Sequence, residues 1–420
     1  MPYGNNLILI TNHFPYGRAE AFLENEIDHL TKGFDQVIIL AKDVTSPDLR
    51  KLTGSFITHR INPKSDLTEK IVTGLLFLVR WKTSLAYIKT EVRYLKKNGQ
   101  PVNRKIWARL LHDLGKAHIT AYHIDRIITS HQLKGKVTLY SYWLTSSALA
   151  TTMVKSRHLQ IKCASRAHGG DIYEFRHQHH YISFRNVLAQ KLDKIFTISN
   201  DGASHLRKNI EQSLHNKIQV SRLGTRYAGA SPLKNNAHEF TLVSCAFMIG
   251  VKRIHLIVQA LSLIDSINIK WVHIGDGELK ADIEQLIDQK FSGKKNVKCN
   301  LMGALSNREL LKFYQENYVD LFINTSSSEG IPVTMMEAQS FGIPILAPDV
   351  GGVGEIVSPE NGRLFSANAS ASEIAGAIQS ILSLPPTIYQ ALRTHAFRNW
   401  ESRYNAQRNF STFVAEMRNL

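Results

Sequence analysis

Short apolar runs recur along the first half of the chain, too short for helices and rich in β-branched residues. Residues 7–11, 36–41, 55–61, 136–140, 161–166 and 194–199 are of this kind and read as strands. Between them apolar positions return every three to four residues, as in 19–30 and 201–209, which predicts helices. Strand–helix alternation implies a mostly parallel sheet covered on both faces. Residues 227–238 contain Ala-Gly-Ala-Ser-Pro and Lys-Asn-Asn and read as a linker. The alternation then restarts, with strands expected at 240–245, 269–274, 297–302, 320–324 and 343–347. Ser306-Asn-Arg-Glu309 fits a capping box ahead of a periodic helix. Pro348-Asp-Val-Gly-Gly is a turn, and the chain from Pro386 onward is polar and helical.

The predicted fold class is therefore α/β: two tandem Rossmann-like, doubly wound domains, residues 1–230 and 231–400. A C-terminal helix, about 402–420, is expected to pack back on the first. Such sheets bind ligands beyond the carboxyl ends of their strands, and two in tandem suggest a cleft.

Residues 66–116 interrupt the pattern as a helical insertion. Two or three helices are expected within 71–116, where one crossover helix would suffice. From Arg80 to Lys116 the cations are Arg80, Lys82, Lys89, Arg93, Lys96, Lys97, Arg104, Lys105, Arg109 and Lys116, opposed only by Glu91 and Asp113. Trp81, Tyr87, Tyr94 and Trp107 are interleaved with them. This composition suits a helical patch on an anionic leaflet, or a solvated basic face over an ordinary core.

A hydrophobic content of 43% with 20% charged residues excludes a disordered chain. The net charge of +16 suits nucleic acid, an anionic membrane or a phosphorylated substrate, and alone it selects none of them. Zinc-finger spacing, an RNP-like stretch and a basic zipper are all missing, so nucleic acid is not the expected main partner. Cys163, Cys245 and Cys299 are far apart and form no C-x-x-C pair, as expected of reduced thiols in the cytoplasm. The first residues lack the basic start and cleavage site of a signal peptide, and no apolar run is long enough to span a bilayer.

The richest chemistry lies in residues 324–357, NTSSSEGIPVTMMEAQSFGIPILAPDVGGVGEIV. Glu329 and Glu337 are separated by seven residues. Glu329 falls in the loop after a strand, and Pro332 places a helix start near Val333, so Glu337 lies about one turn inside that helix. Amides at a helix start bind phosphate oxygens, and carboxylates accept hydrogen bonds from sugar hydroxyls.

This segment resembles the donor-binding signature of family 4 of the retaining glycosyltransferases, which have the GT-B fold and include bacterial exopolysaccharide, capsule and O-antigen enzymes. The resemblance covers the second domain and, more loosely, the first. It implies that Glu329 holds the transferred hexose and Glu337 the ribose of the nucleotide. The amides of Gly330, Ile331 and Val333 would then face the sugar and diphosphate. Lys252, in Gly250-Val-Lys-Arg253, resembles the diphosphate-binding lysine, with Arg253 assisting. A cation near the departing diphosphate stabilises its growing charge. The family's second basic residue is missing at position 247, where this chain has Phe. Gly275, in His273-Ile-Gly-Asp-Gly277, resembles the glycine-rich strand exit beside the nucleotide, and Gly303 the loop facing the base.

In the first domain, Arg166-Ala-His168-Gly-Gly-Asp171 resembles the segment that carries a histidine toward donor sugar and acceptor. The loop from His13 to Glu20 resembles the one that approaches the diphosphate. It keeps Gly17 of the usual glycine pair and has Arg18 in the second place, a cation suited to phosphate. Ser199-Asn200 and Arg222-Leu-Gly-Thr225 are further family-like turns. His177, His179 and His180 lack partners at metal-ligand spacing. With no Asp-x-Asp motif either, no metal and no cofactor are expected.

The expected activity is retaining, α-forming transfer of a hexosyl group from a UDP-sugar or GDP-sugar to a saccharide acceptor. The acceptor is expected to be an oligosaccharide linked to polyprenyl diphosphate, used at the inner face of the cytoplasmic membrane. Competing classes are an epimerase or phosphorylase on the same scaffold, a non-catalytic GT-B-scaffold binding protein, and a basic nucleic-acid-binding protein. The intact 324–357 segment argues against the non-catalytic scaffold.

Overall fold

The strand-like runs assemble into two wholly parallel sheets. The computed structural model describes residues 4–17, 19–61, 74–75, 79–177, 180–234 and 238–420. It divides into one unit of Met1–Ser221 with Phe410–Leu420 and a second of Arg222–Asn409.

The first sheet contains β1 (Asn5–Thr11), β2 (Gln36–Ala41), β3 (Ile57–Arg60), β4 (Lys136–Ser141), β5 (Lys162–Ala167), β6 (Lys194–Thr197) and β7 (Ile218–Val220). Their order is β3-β2-β1-β4-β5-β6-β7. Ile8 is in register with Ile38 on one side and Leu139 on the other. Chain order reverses between β1 and β4, which opens a crevice beyond their carboxyl ends.

The period-2 alternation of a strand decides what covers each face. Ile8, Ile10, Ile38 and Leu40 pack with Leu110, Leu114, Ala117, Ala121 and Ile124 of the helix Arg104–Ser130. Leu7, Leu9, Val37 and Ile39 turn the other way, onto Ile27, Leu30, Phe413, Val414 and Met417. The last three come from the helix Ala406–Arg418. Under that helix, the buried guanidinium of Arg166 pairs with Glu26 at 3.2 Å and lies 4.2 Å from the Phe413 ring centroid.

The second sheet contains β8 (Phe240–Cys245), β9 (Ile269–Ile274), β10 (Val297–Leu301), β11 (Leu321–Ile323), β12 (Ile345–Pro348) and β13 (Gly362–Phe365). Their order is β10-β9-β8-β11-β12-β13, so the reversal here falls between β8 and β11. Leu242, Trp271, Leu321, Ile323 and Leu346 form one core with Ile257, Leu261, Ile374 and Ile378 of the flanking helices. Ser306 and Glu309 form the expected capping box of helix Asn307–Glu316.

The observed architecture is the expected pair of doubly wound α/β units with a helical insertion in the first. Two strands were not anticipated. β7 and β13 are sheet edges of three and four residues, too short to show a period. The described part of the insertion is the helix Trp81–Lys97 and the start of Arg104–Ser130, whose first turn Asn103 caps by accepting from the amides of Lys105 and Ile106. Residues 62–73 and 76–78 lie outside the described residues, as do 235–237 of the expected linker. Among the described residues no helix is long and apolar enough to cross a membrane. The three cysteines are free.

Candidate functional site

In the second unit, loops beyond the carboxyl ends of β8 and β11 meet. After β8 the chain forms a one-turn helix, Gly250–Lys252, and Arg253 follows in the left-handed region at φ 49°. After β11, residues 324–330 form an irregular loop that leads to Pro332 and the helix Val333–Ser340. The two loops are stitched together by hydrogen bonds to the backbone of the first. The Thr325 hydroxyl donates to the carbonyls of Lys252 and Arg253 at 2.9 and 3.0 Å, and the Ser327 amide donates to the Val251 carbonyl at 2.8 Å.

This stitching brings Lys252 to Glu329, with Nζ and Oε1 2.5 Å apart. Glu329 is buried, and the Asn324 side chain also donates through Nδ2 to its Oε1 at 3.5 Å. A lysine against a buried carboxylate is a pair of opposite charges at the rim of a crevice.

Glu337 occupies the position expected for it, inside the helix that follows Pro332, and is buried. Burial pushes its carboxyl up to about 8, and a hydrogen bond from the Asn307 side chain offsets part of that rise. The amides of Gly330, Ile331 and Val333 precede or open this helix, where backbone N–H groups lack intrahelical acceptors.

The position of Arg253 matches the expectation, but its side chain is committed elsewhere. Its guanidinium donates to the carbonyls of Thr325 at 2.7 Å, Ala367 at 2.9 Å and Ser326 at 3.4 Å. In this structure it braces the loops. Phe247, at the place of the missing family arginine, is 68% exposed. Gly275 bonds through its amide to the Gly303 carbonyl at 2.9 Å. A Cβ on Gly275 would lie 1.9 Å from the Ala246 carbonyl oxygen, so only glycine lets this strand exit close against the loop after β8.

Several contributors escape a sequence reading. Asn307 holds Glu337 from the first turn of another helix. Gly351 sits at φ 53°, and a Cβ there would lie 2.0 Å from the Glu329 carbonyl oxygen. The glycine pair after β12 reads as a mere turn in sequence, yet it lets that turn press against the Glu329 backbone.

The first unit places His168 just past β5, in the N-cap position of a short helix, Gly169–Ile172. Both ring nitrogens are buried without a hydrogen-bond partner among the described residues. Asp171 Oδ2 lies 3.9 Å from Nδ1 and accepts the Leu144 amide at 2.7 Å, which fixes the neighbouring loop. Gly17 is in the left-handed region at φ 58°, and its amide donates to the Asp48 carbonyl at 2.9 Å. Arg18 and His179 lie outside the described residues. His177 Nε2 contacts the Gly170 carbonyl at 2.5 Å. Ser199 caps the helix Asn200–Lys208, and in the second unit Arg222 pairs with Glu355 at 3.0 Å. Among the described residues no three His, Cys, Asp or Glu side chains cluster as a metal site would require.

Residues 231–398 match the sequence profile of glycosyl transferases group 1. The chain is 33% identical over 130 residues, 31% of its length, to sulfoquinovosyl transferase SQD2 of Arabidopsis thaliana. It is 26% identical over 221 residues, 50% of its length, to WcaL of Escherichia coli K12, whose name places it among colanic acid biosynthesis glycosyltransferases. These matches span 23% of SQD2 and 53% of WcaL, so the chain covers about half or less of these relatives. Among solved structures it is similar to Anabaena HepE in complex with UDP, with a TM-score of 0.65 and 14% identity, covering 99% of this chain and 100% of that one. The chain therefore has the GT-B fold of glycosyltransferases and, over residues 231–398, the sequence features of glycosyl transferases group 1.

Proposed function

We propose that this protein is a retaining glycosyltransferase of family 4 that moves a hexosyl group from a nucleoside-diphosphate sugar to a saccharide acceptor. The observation that carries this reading is the Lys252–Glu329 contact beyond β8 and β11, beside the start of helix Val333–Ser340. The donor's diphosphate takes Lys252 and the open amides, its hexose takes Glu329, and its ribose takes Glu337. His168 of the first unit orients the transferred sugar. Lys252 stabilises the leaving diphosphate. Glu329 is not assigned as a nucleophile, because the double-displacement route needs two carboxylates flanking the scissile bond about 5–5.5 Å apart. Attack on the face from which the leaving group departs, with the donor phosphate accepting the proton, gives retention without a metal.

The preferred donor is a UDP-sugar, with a GDP-sugar as the alternative. HepE's complex with UDP supports the first choice by fold. The preferred acceptor is an oligosaccharide on polyprenyl diphosphate, used in cell-surface polysaccharide synthesis at the inner face of the cytoplasmic membrane. The name of WcaL supports the product class. The helical insertion supports the location. In helix Trp81–Lys97, Ser84, Tyr87, Glu91 and Leu95 are buried while Lys82, Lys89, Arg93 and Lys96 are exposed. Trp81 is 56% exposed among these cations, and Trp107 is exposed on the next helix. Cations with interleaved aromatics suit an anionic interface. The deciding experiment is a binding screen of the purified protein against UDP-, GDP- and ADP-sugars, followed by a hydrolysis assay on each hit. Saturable binding with slow hydrolysis is expected, and binding to none of the three removes the reading.

A further inference from the structure

Glu20 lies in the left-handed region at φ 58°, a conformation rare for glutamate. Its buried side chain reaches back to the loop that leaves β1. One carboxylate oxygen accepts the Asn12 amide at 3.1 Å and the indole N–H of Trp143. The other accepts the amides of His13 and Phe14, both at 2.7 Å. A carboxylate offers about four acceptor directions, so these four donors saturate it. Three consecutive amides around one anion also meet its charge locally. A group so occupied has nothing left to offer a substrate, and what it does it does through its donors.

Two of those connections lead to candidate site elements. The amides belong to the loop that also carries Gly17. The indole belongs to Trp143, just past β4, whose ring centroid lies 4.6 Å from that of His168. Tyr142 at 4.8 Å and Phe22 at 6.1 Å complete the aromatic wall around that imidazole. With neither ring nitrogen hydrogen-bonded to the protein among the described residues, the attitude of His168 depends on this wall.

We infer that Glu20 is a positioning residue: its carboxylate locks the loop after β1 and the Trp143 indole into one arrangement, and through Trp143 it sets the ring of His168. Only the turnover part of the test rests on the transferase reading above.

The test compares Glu20→Gln and Glu20→Asp in the full chain. Glutamine keeps the length but turns an amide donor toward amide donors. Aspartate keeps the charge and both acceptor oxygens, and it tolerates the left-handed backbone better. NMR of 15N-labelled protein follows the Trp143 indole N–H, assigned with Trp143→Phe. In E20Q its hydrogen exchange is expected to quicken about tenfold or more, with substantial recovery in E20D. With UDP-glucose as the probe, E20Q is expected to lower kcat for hydrolysis about tenfold or more while the KM for the donor holds. Wild-type indole exchange in E20Q, or a rise in KM with kcat unchanged, overturns the inference. If E20Q does not fold, E20D decides. An indole resonance shifted from wild type but still protected supports the assignment, and a wild-type kcat with an unprotected indole overturns it. If wild-type protein turns over no UDP-glucose, the doubt falls on the donor or the transferase reading, while indole exchange still decides the role of Glu20.

Discussion

The two sheets reverse their strand order at equivalent places, β1 beside β4 and β8 beside β11, and just beyond each reversal lies a buried glutamate. Their surroundings differ. Glu20 is held by three amides of one loop and by an indole, donors that belong to fixed parts of the first unit. Glu329 is held by the end of a lysine whose side chain is 21% exposed and, more weakly, by Asn324. Four short bonds from rigid groups make a carboxylate part of the scaffold. One flexible cation leaves it able to change partners when a ligand arrives. The same residue type, beside the reversal of each sheet but after non-equivalent strands, is thus fully hydrogen-bonded in one unit and held chiefly by a single lysine in the other.

The strongest way to break this comparison is to delete both side chains. Glu329→Ala is expected to cut donor turnover by at least about 10²-fold while leaving the thermal midpoint nearly unchanged. Glu20→Ala strands three amides and an indole, and is expected to cost roughly 2–4 kcal/mol in urea unfolding. Equal stability losses in the two variants would erase the distinction.

Glu337 sharpens the comparison, because its carboxyl is buried and accepts a hydrogen bond from the Asn307 side chain. Its folded value is about 8 against an ordinary 4.5. Between those values the unfolded chain releases the proton and the folded chain keeps it, so this group's contribution to stability falls as pH rises. Glu337→Gln removes that dependence. The variant's stability relative to wild type is expected to improve by up to a few kcal/mol between about pH 5 and pH 8, read from urea unfolding at both. An offset that stays constant across this range would place the carboxyl in a more polar setting.

The smallest expected effect concerns the missing cation. Phe247→Arg returns a guanidinium to an exposed position near the Lys252 loop. It is expected to tighten UDP binding by a few-fold, and by less at high salt. Weaker binding would show that the exposed ring itself contacts the nucleotide.

Much of the fold is legible because its strands are buried on both faces and so appear as compact apolar runs, as in Leu7–Ile10 and Val37–Leu40. β7 and β13 are not legible, since edge strands of three and four residues carry no usable period. The 324–357 segment is legible because helix start, proline and both glutamates lie close together in sequence. The commitment of Arg253 is not, because its acceptors Thr325 and Ala367 are supplied 72 and 114 residues later. The role of Glu20 is hidden for the same reason, its indole partner being 123 residues away.

One consequence follows from the way Phe413, Val414 and Met417 cover the face of the first sheet that carries Leu7, Leu9, Val37 and Ile39. Helix Glu24–Gly33, which brings Ile27 and Leu30 to this face, is made alongside the strands, but these three residues follow hundreds of residues later. Throughout synthesis of the second unit, the part of that apolar face which Phe413, Val414 and Met417 later cover lacks its native cover. The first unit to be translated is therefore the last to be finished, and a fragment cut at the boundary between units would expose that surface permanently.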